Sequence, residues 1–315
     1  MSKVLVTPRS LTKDGHPALD LLREAGFEVI FSTPGKQPEE EELLALLPGC
    51  VGYLAGVEKV SARTLEAAKG LRVISRNGTG IDNIDMDAAN RLNIRVCRTE
   101  GANALGVAEL TLGLIFALVR SIPFSDHELK NKRWERRRGI ELENRILGLI
   151  GCGEIGKRTA LLAIGVGIKV IAFRRHPDYS FSPANFSYVA LEDIFRRSDI
   201  ISLQCPPLES GKPLVDKEAL SKMKEGVYLI NTARASLLDP VALLEGLENG
   251  RIAGLAVDVF DQEPPSDYRL VQNSRIIATP HIGGFTAESV ARATTQAVKN
   301  IIEVLNQGMK GEKER

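Results

Sequence analysis

The run Ile146-Leu-Gly-Leu-Ile-Gly151-Cys-Gly153-Glu-Ile-Gly156 constrains this chain more than any other stretch. An apolar strand leads straight into Gly-x-Gly-x-x-Gly. An Ala/Leu-rich helix follows from Glu154 to Val166, and a second apolar strand runs from Ile168 to Phe173. Gly151 permits a tight turn, Gly153 lets the backbone approach a pyrophosphate, and Gly156 lets helix and strand pack closely. The helix start adds free N–H groups and partial positive charge. Glycines alone also serve ordinary turns. Framed by strand and helix, this triplet predicts a dinucleotide phosphate site.

Strand and helix patterns alternate on both sides of the turn. Before it, short strands are expected at 4–6, 27–31, 51–55, 71–75 and 94–97, with amphipathic helices at 17–25, 38–47, 61–69 and 86–92. A long helix is expected at 102–120, followed by a polar, basic stretch at 126–144. After that come strands at 146–150, 169–173, 200–203, 227–230, 254–257 and 276–278, a helix at about 287–305, and a frayed charged tail at 308–315. Strands separated by helices imply parallel sheets with right-handed crossovers. The glycine turn lies mid-chain, so a separate α/β domain of residues 1–98 precedes the cofactor domain at 99–284. The segment 285–315 is assigned to the first domain.

Composition narrows the class. The chain has 315 residues, 43% hydrophobic and 26% charged, with a net charge of +1. That fits a globular protein and gives no electrostatic case for nucleic acid or membrane partners. The longest apolar run, Leu110 to Val119, is too short for a bilayer span. The N-terminus reads as a first strand, not a signal peptide. Cys50, Cys97, Cys152 and Cys205 lack metal-ligand spacing. They read as reduced thiols of a cytoplasmic protein, and no metal is expected.

Three further segments place polar residues just after buried strands. In Asn231-Thr-Ala-Arg234 the arginine is suited to clamp a carboxylate, or to pair with a nearby acid at the surface. In Asp258-Val-Phe-Asp-Gln-Glu263-Pro and Thr279-Pro-His281-Ile-Gly283-Gly284, a histidine and an acid stand at strand ends. Such a pair suits proton transfer near neutral pH, and it equally suits a capped loop with an exposed acid.

Together these segments resemble the D-isomer-specific 2-hydroxyacid dehydrogenases over nearly the whole length. The matching stretches also include Arg76-Asn-Gly-Thr-Gly-Ile-Asp-Asn-Ile-Asp85 and Val107-Ala-Glu-Leu-Thr111. The resemblance implies a flavodoxin-like substrate domain and a Rossmann cofactor domain, with the last helix returning to the first. It implies that His281 is the acid in ketone reduction and the base in alcohol oxidation, and that Glu263 holds the imidazole protonated. Arg234 would bind the substrate carboxylate, with the loop Asn77, Gly78, Thr79 and Gly80 on its other face. Asp258 would accept a hydrogen bond from the nicotinamide amide. Thr79, Glu154, Ile155, Cys205, Thr232, Ala233, His281, Gly283 and Gly284 would join Gly151, Gly153 and Gly156 around the cofactor. Relatives of this kind are commonly dimers built around the long helix.

Two departures from the family's pattern matter. The second Rossmann strand normally ends in an acid for the ribose 2′-OH, but here it ends in Arg174-Arg175-His176, with Asp178 several residues late. Two guanidiniums attract a 2′-phosphate, so NADP(H) is expected over NAD(H). That favours reduction of a small 2-keto acid of the glyoxylate/hydroxypyruvate kind. The alternative is a D-3-phosphoglycerate dehydrogenase. Those relatives carry a phosphate-binding arginine after the third strand, whereas this chain reads Tyr53-Leu-Ala-Gly56-Val-Glu58-Lys59. An alternative of another class is a cofactor-sensing, corepressor-like binding protein. The basic run Lys130 to Arg138 is read as a solvated face or subunit contact, not a nucleic-acid site.

Overall fold

The computed structural model describes residues 1–313, with side chains as far as Gln307. Its first sheet contains β1 (Lys3–Val6), β2 (Glu28–Phe31), β3 (Cys50–Ala55), β4 (Val73–Arg76) and β5 (Arg95–Arg98). All pairings are parallel, in the order β2-β1-β3-β4-β5. That is the flavodoxin-like order implied by the resemblance. The strands at its centre are near-continuous apolar runs because helices cover both faces. Leu43, Leu47, Leu65 and Ala88 pack on one side, and Leu11, Leu19 and Leu22 pack on the other.

The terminal helix Ala287–Lys313 also belongs to this unit, which comprises Met1–Asn103 and the chain from Ala287. Its Ala297, Val298, Ile301 and Leu305 are fully buried against Val4, Val6, Leu54 and Val73. Helix continues through Lys313, so the frayed tail expected from Gly308 is corrected as far as that residue. Glu314 and Arg315 lie outside the described residues.

The second unit, Ala104–Thr286, is built on a seven-stranded parallel sheet. Its strands are β6 (Ile146–Ile150), β7 (Lys169–Phe173), β8 (Phe186–Tyr188), β9 (Ile200–Leu203), β10 (Val227–Asn231), β11 (Ile252–Val257) and β12 (Ile276–Ala278). The order is β12-β11-β10-β9-β6-β7-β8. The chain starts in the middle, winds to one edge, then returns past its start to the other. This is the doubly wound Rossmann topology. The long helix Ala104–Val119 buries Leu114, Ile115, Leu118 and Val119 against Leu147, Leu149 and Ala160. Helix Pro240–Glu248 closes the other face through Leu243 and Leu247.

The sequence patterns gave no bounds for the helices Leu191–Arg197, Lys217–Lys222 and Pro240–Glu248, and two further elements of this unit stand outside the strand–helix alternation they predicted. One is the short strand β8, whose Phe186 and Tyr188 make edge-on aromatic contacts with Phe181, Tyr179 and each other. The other is the helix Ile122–Lys130, which begins after Ser121 in the left-handed conformation.

Candidate active site

The glycine turn and the segments carrying Arg234, Glu263 and His281 all leave the carboxyl edge of the second sheet. Ile150 pairs with both Phe173 and Leu203, so the glycine turn is flanked by the ends of β7 and β9. Gly151 has φ of +103°, and a Cβ there would lie 2.2 Å from the Gln204 carbonyl oxygen. Both facts exclude any other residue. A Cβ on Gly156 would meet the Gly151 carbonyl oxygen at 2.6 Å, so the helix Glu154–Gly165 is drawn tight against the turn. Around Gly153, by contrast, a Cβ would meet nothing within 4 Å, and no side chain caps the helix start. An open backbone at an uncapped helix N-terminus fits a pyrophosphate.

At the other half of the edge, β10, β11 and β12 end in register. Asp258, directly after β11, is 1% exposed. Its Oδ1 accepts from the Thr279 hydroxyl at 2.6 Å and the Ile282 N–H at 2.8 Å, and its Oδ2 accepts from the Gly283 N–H at 2.8 Å. One carboxylate therefore ties down both sides of His281. The His281 N–H closes a tight turn onto the Thr279 carbonyl at 2.9 Å, and its φ is +54°, a strained setting for a residue with a side chain. The imidazole Nδ1 lies 2.8 and 2.9 Å from the two oxygens of Glu263. Glu263 is itself aimed by the Phe260 N–H at 3.3 Å. With Nδ1 committed to the carboxylate, Nε2 is the nitrogen left to exchange a proton.

Arg234 follows β10 on a turn held by Asn231, which is 1% exposed. The Asn231 amide donates to the Arg234 carbonyl at 2.8 Å and accepts from the Ala233 N–H at 3.0 Å. Sequence reading gave Asn231 no role; an asparagine closing a strand before a turn was the available signal. Thr232 shares a hydroxyl bond of 3.2 Å with Thr111 of the long helix. Burial pushes the Cys205 thiol up to about 11, so it is a neutral thiol and not a nucleophile.

In the first unit, the loop Asn77–Gly80 follows β4. The Asn77 N–H donates to the Ala55 carbonyl at 2.8 Å, and the Thr79 hydroxyl donates to Asn103 Oδ1 at 3.1 Å. The Arg76 guanidinium lies against Gly78, where a Cβ would sit 2.5 Å from Nη1.

Beyond β7, Arg174 donates to the Cys152 carbonyl at 3.3 Å, inside the glycine turn. Arg175 pairs with Glu209 at 3.0 Å, both largely exposed. Asp178, the late acid, is held by Lys157 at 2.6 Å and by the Ser180 hydroxyl and N–H at 2.5 and 3.1 Å. The Lys157 ammonium and Ser180 lower the Asp178 carboxyl from 3.8 to about 2.

The sequence model described as "D-isomer specific 2-hydroxyacid dehydrogenase, NAD binding domain" matches residues 112–283, which contain the glycine turn, Arg234, Glu263 and His281. The chain belongs to the D-isomer-specific 2-hydroxyacid dehydrogenase family. Members of this dehydrogenase family are NAD-binding oxidoreductases that act on the CH–OH group of 2-hydroxy acids. The hydroxypyruvate reductase of Thermotoga maritima is 39% identical over 85% of this chain and 89% of its own length. The D-3-phosphoglycerate dehydrogenase of Sus scrofa is 35% identical over 91% of this chain, which spans only 54% of that relative. Among solved structures, the TT0316 protein of Thermus thermophilus is similar with a TM-score of 0.87 and 34% identity, covering 97% of each chain.

The Lys157–Asp178 pair makes one pH-dependent expectation. Because the folded carboxyl titrates lower than its ordinary value, the pair stabilises the protein above pH about 4 and ceases to do so as pH falls through about 2. Asp178→Asn is therefore expected to be less stable than the parent at neutral pH, with the gap closing toward pH 2. Denaturant midpoints measured across that range check this; a gap independent of pH would contradict it.

Proposed function

We propose that this chain is an NADP(H)-preferring reductase of small 2-keto acids, of the glyoxylate or hydroxypyruvate kind, working as a cytoplasmic homodimer. The observation that carries the reading is the His281–Glu263 pair, bonded at 2.8 and 2.9 Å on a loop anchored by Asp258. The hydroxypyruvate reductase relative, matched along most of its length, supports the substrate class.

The nicotinamide cofactor, when bound, supplies the hydride. Gly151, Gly153, Glu154, Ile155 and Gly156 hold its pyrophosphate, and Cys205, Thr232, Ala233, Gly283 and Gly284 line it. Arg234 grips the substrate carboxylate by two parallel hydrogen bonds and keeps the carbonyl oriented. In the first unit the loop of Asn77, Gly78, Thr79 and Gly80 offers backbone N–H groups that suit a substrate carboxylate. His281 Nε2 delivers a proton to the oxygen that becomes the hydroxyl, and takes it back in the reverse direction. Glu263 fixes the imidazole through Nδ1 and stabilises its positive charge. Asp258 keeps both loop N–H groups in place; its remaining lone pair is the one left for the nicotinamide amide.

The cofactor preference rests on charge at the end of β7. Arg174 and Arg175 stand there, while the nearby acids Asp178 and Glu209 are each paired with a cation. A 2′-phosphate is attracted by this arrangement, and exposed pairs such as Arg175–Glu209 cost little to exchange. The dimer rests on the apolar side chains along the long helix and the next one. Leu105, Phe116, Ile122 and Leu129 are 37%, 37%, 52% and 57% exposed, and Trp134 nearby is 80% exposed. A second copy of the chain is the partner that fits, by the family resemblance. Four free thiols support a reducing compartment.

Three measurements test these points. Hydroxypyruvate or glyoxylate should be reduced with NADPH, and His281→Ala should lower turnover by on the order of 10²–10⁴-fold with the fold intact; wild-type turnover retained in the variant would remove His281 from the mechanism. Fluorescence titration should give tighter binding of NADPH than NADH, and the reverse order would overturn the cofactor preference. Sedimentation equilibrium should return about twice the 34.3 kDa chain mass, whereas a monomer at micromolar concentration would rule out the dimer.

A further inference from the structure

In a parallel sheet of order β2-β1-β3-β4-β5, the winding reverses between β1 and β3, and ligands collect in the crevice beyond their carboxyl ends. In this chain that place holds a buried acid. Thr7 directly follows β1, Tyr53 lies in β3, and Gly56 directly follows β3. Their hydrogen-bond donors converge on one atom, Oε1 of Glu58. The Tyr53 hydroxyl donates to it at 2.5 Å, the Gly56 N–H at 2.8 Å, and the Thr7 hydroxyl makes a third, short bond. Glu58 is 2% exposed, and Thr7 and Tyr53 are fully buried.

The loop that carries Glu58 is pinned from below. Asn83 donates to the Glu58 carbonyl at 2.6 Å, the Val60 N–H donates to the Asn83 carbonyl at 2.8 Å, and the Asp85 N–H donates to the Val60 carbonyl at 2.9 Å. A side chain at position 56 would sit 2.6 Å from Glu58 Oε2, so Gly56 is what lets the carboxylate fold back over the end of β3. Burial and the Glu58 charge hold the Tyr53 phenol well above its ordinary value, and it remains a donor at neutral pH.

Two hydroxyls and a backbone N–H converging on a point form an anion cradle. Here the cradle is filled by the chain's own carboxylate. Ala55 and Arg76 pair across β3 and β4, so Gly56 and Asn77 begin adjacent strand ends about 5 Å apart. A substrate carboxylate on the Asn77–Gly80 loop thus has its other substituent within reach of Glu58. A buried like charge at such range disfavours an anionic substituent by on the order of tenfold or more.

We propose that Glu58 is a specificity-determining residue, which occupies the anion cradle at the β1/β3 crevice and restricts the substrate to 2-keto acids with an uncharged tail. The inference rests on the 2-keto-acid reductase reading and deepens it. It predicts that phosphorylated keto acids are poor substrates because of one internal charge.

The experiment compares hydroxypyruvate with 3-phosphohydroxypyruvate, using NADPH, for the parent, Glu58→Gln and Glu58→Ala. The parent is expected to favour hydroxypyruvate in kcat/KM by at least about tenfold. Glu58→Gln, which keeps an acceptor for the three donors but removes the charge, should narrow that ratio several-fold. Glu58→Ala should narrow it further, and inorganic phosphate at millimolar concentration should raise the melting temperature of Glu58→Ala but not of the parent. A buried acid with a structural role alone would lower stability and leave both the substrate ratio and the phosphate response unmoved. That outcome, or a parent that prefers the phosphorylated acid, overturns the proposal. Should the parent reduce neither acid, the reductase reading fails, and the phosphate response of Glu58→Ala alone decides whether the cradle exists. If Glu58→Ala does not fold, the ratio in Glu58→Gln decides.

Discussion

The Asp258 carboxylate is the contact on which the rest of the site depends. It is buried at the end of β11, and it takes the Thr279 hydroxyl and the N–H groups of Ile282 and Gly283. Hydrogen bonds to a charged group contribute about 1.5–3 kcal/mol each, and three of them converge here. That is enough to hold His281 at φ of +54°, a conformation that costs about 1–3 kcal/mol. The strained backbone points the imidazole at Glu263, and Glu263 is set in turn by the Phe260 N–H. Proton transfer needs a ring that is already in place when substrate arrives, and this chain of contacts supplies one.

The same logic recurs at the glycine turn. Parallel strands in register bring Phe173, Ile150 and Leu203 to one edge, and the backbone after them must then fit in very little space. Gly151 and Gly156 answer the crowding, while Gly153 stays open at the start of the helix. Charge is distributed with equal economy beyond β7. Asp178 is paired with Lys157 and Glu209 with Arg175. In the first unit an acidic side chain fills space instead: Glu58 folds back onto Tyr53 and Gly56 where the topology would otherwise leave a crevice.

Much of this was legible in the linear chain, for identifiable reasons. Strands buried on both faces are continuous apolar runs, so β6, β7, β9 and β12 were read with the bounds they have. The Gly-x-Gly-x-x-Gly spacing reports local geometry directly, and Gly151 behaves as its position required. Strand β8 was missed because its three residues alternate an aromatic with serine and owe their place to ring contacts with Phe181 and Tyr179. The continuation of the last helix past Gly308 was missed because glycine and lysine mark ends in isolated segments. The Thr7–Tyr53–Glu58 cluster was invisible for a different reason. Thr7 lies about fifty residues from Tyr53 and Glu58, and nothing in a lone Glu58 distinguishes a buried acid from a solvated one. Asp258 is legible as an acid after a strand, but its hydrogen bonds to the Thr279–Gly283 loop depend on register that only the assembled sheet reveals, whereas those of Asn231 are local, to Ala233 and Arg234 of its own turn.

The central claim is that the Asp258-anchored imidazole serves direct hydride chemistry on a 2-keto acid. The most direct measurement reduces hydroxypyruvate with NADPH deuterated at the transferring position of C4 and analyses the product. The account predicts D-glycerate carrying one deuterium at C2. Glycerate of the L configuration, or D-glycerate with the label lost to water, would contradict it.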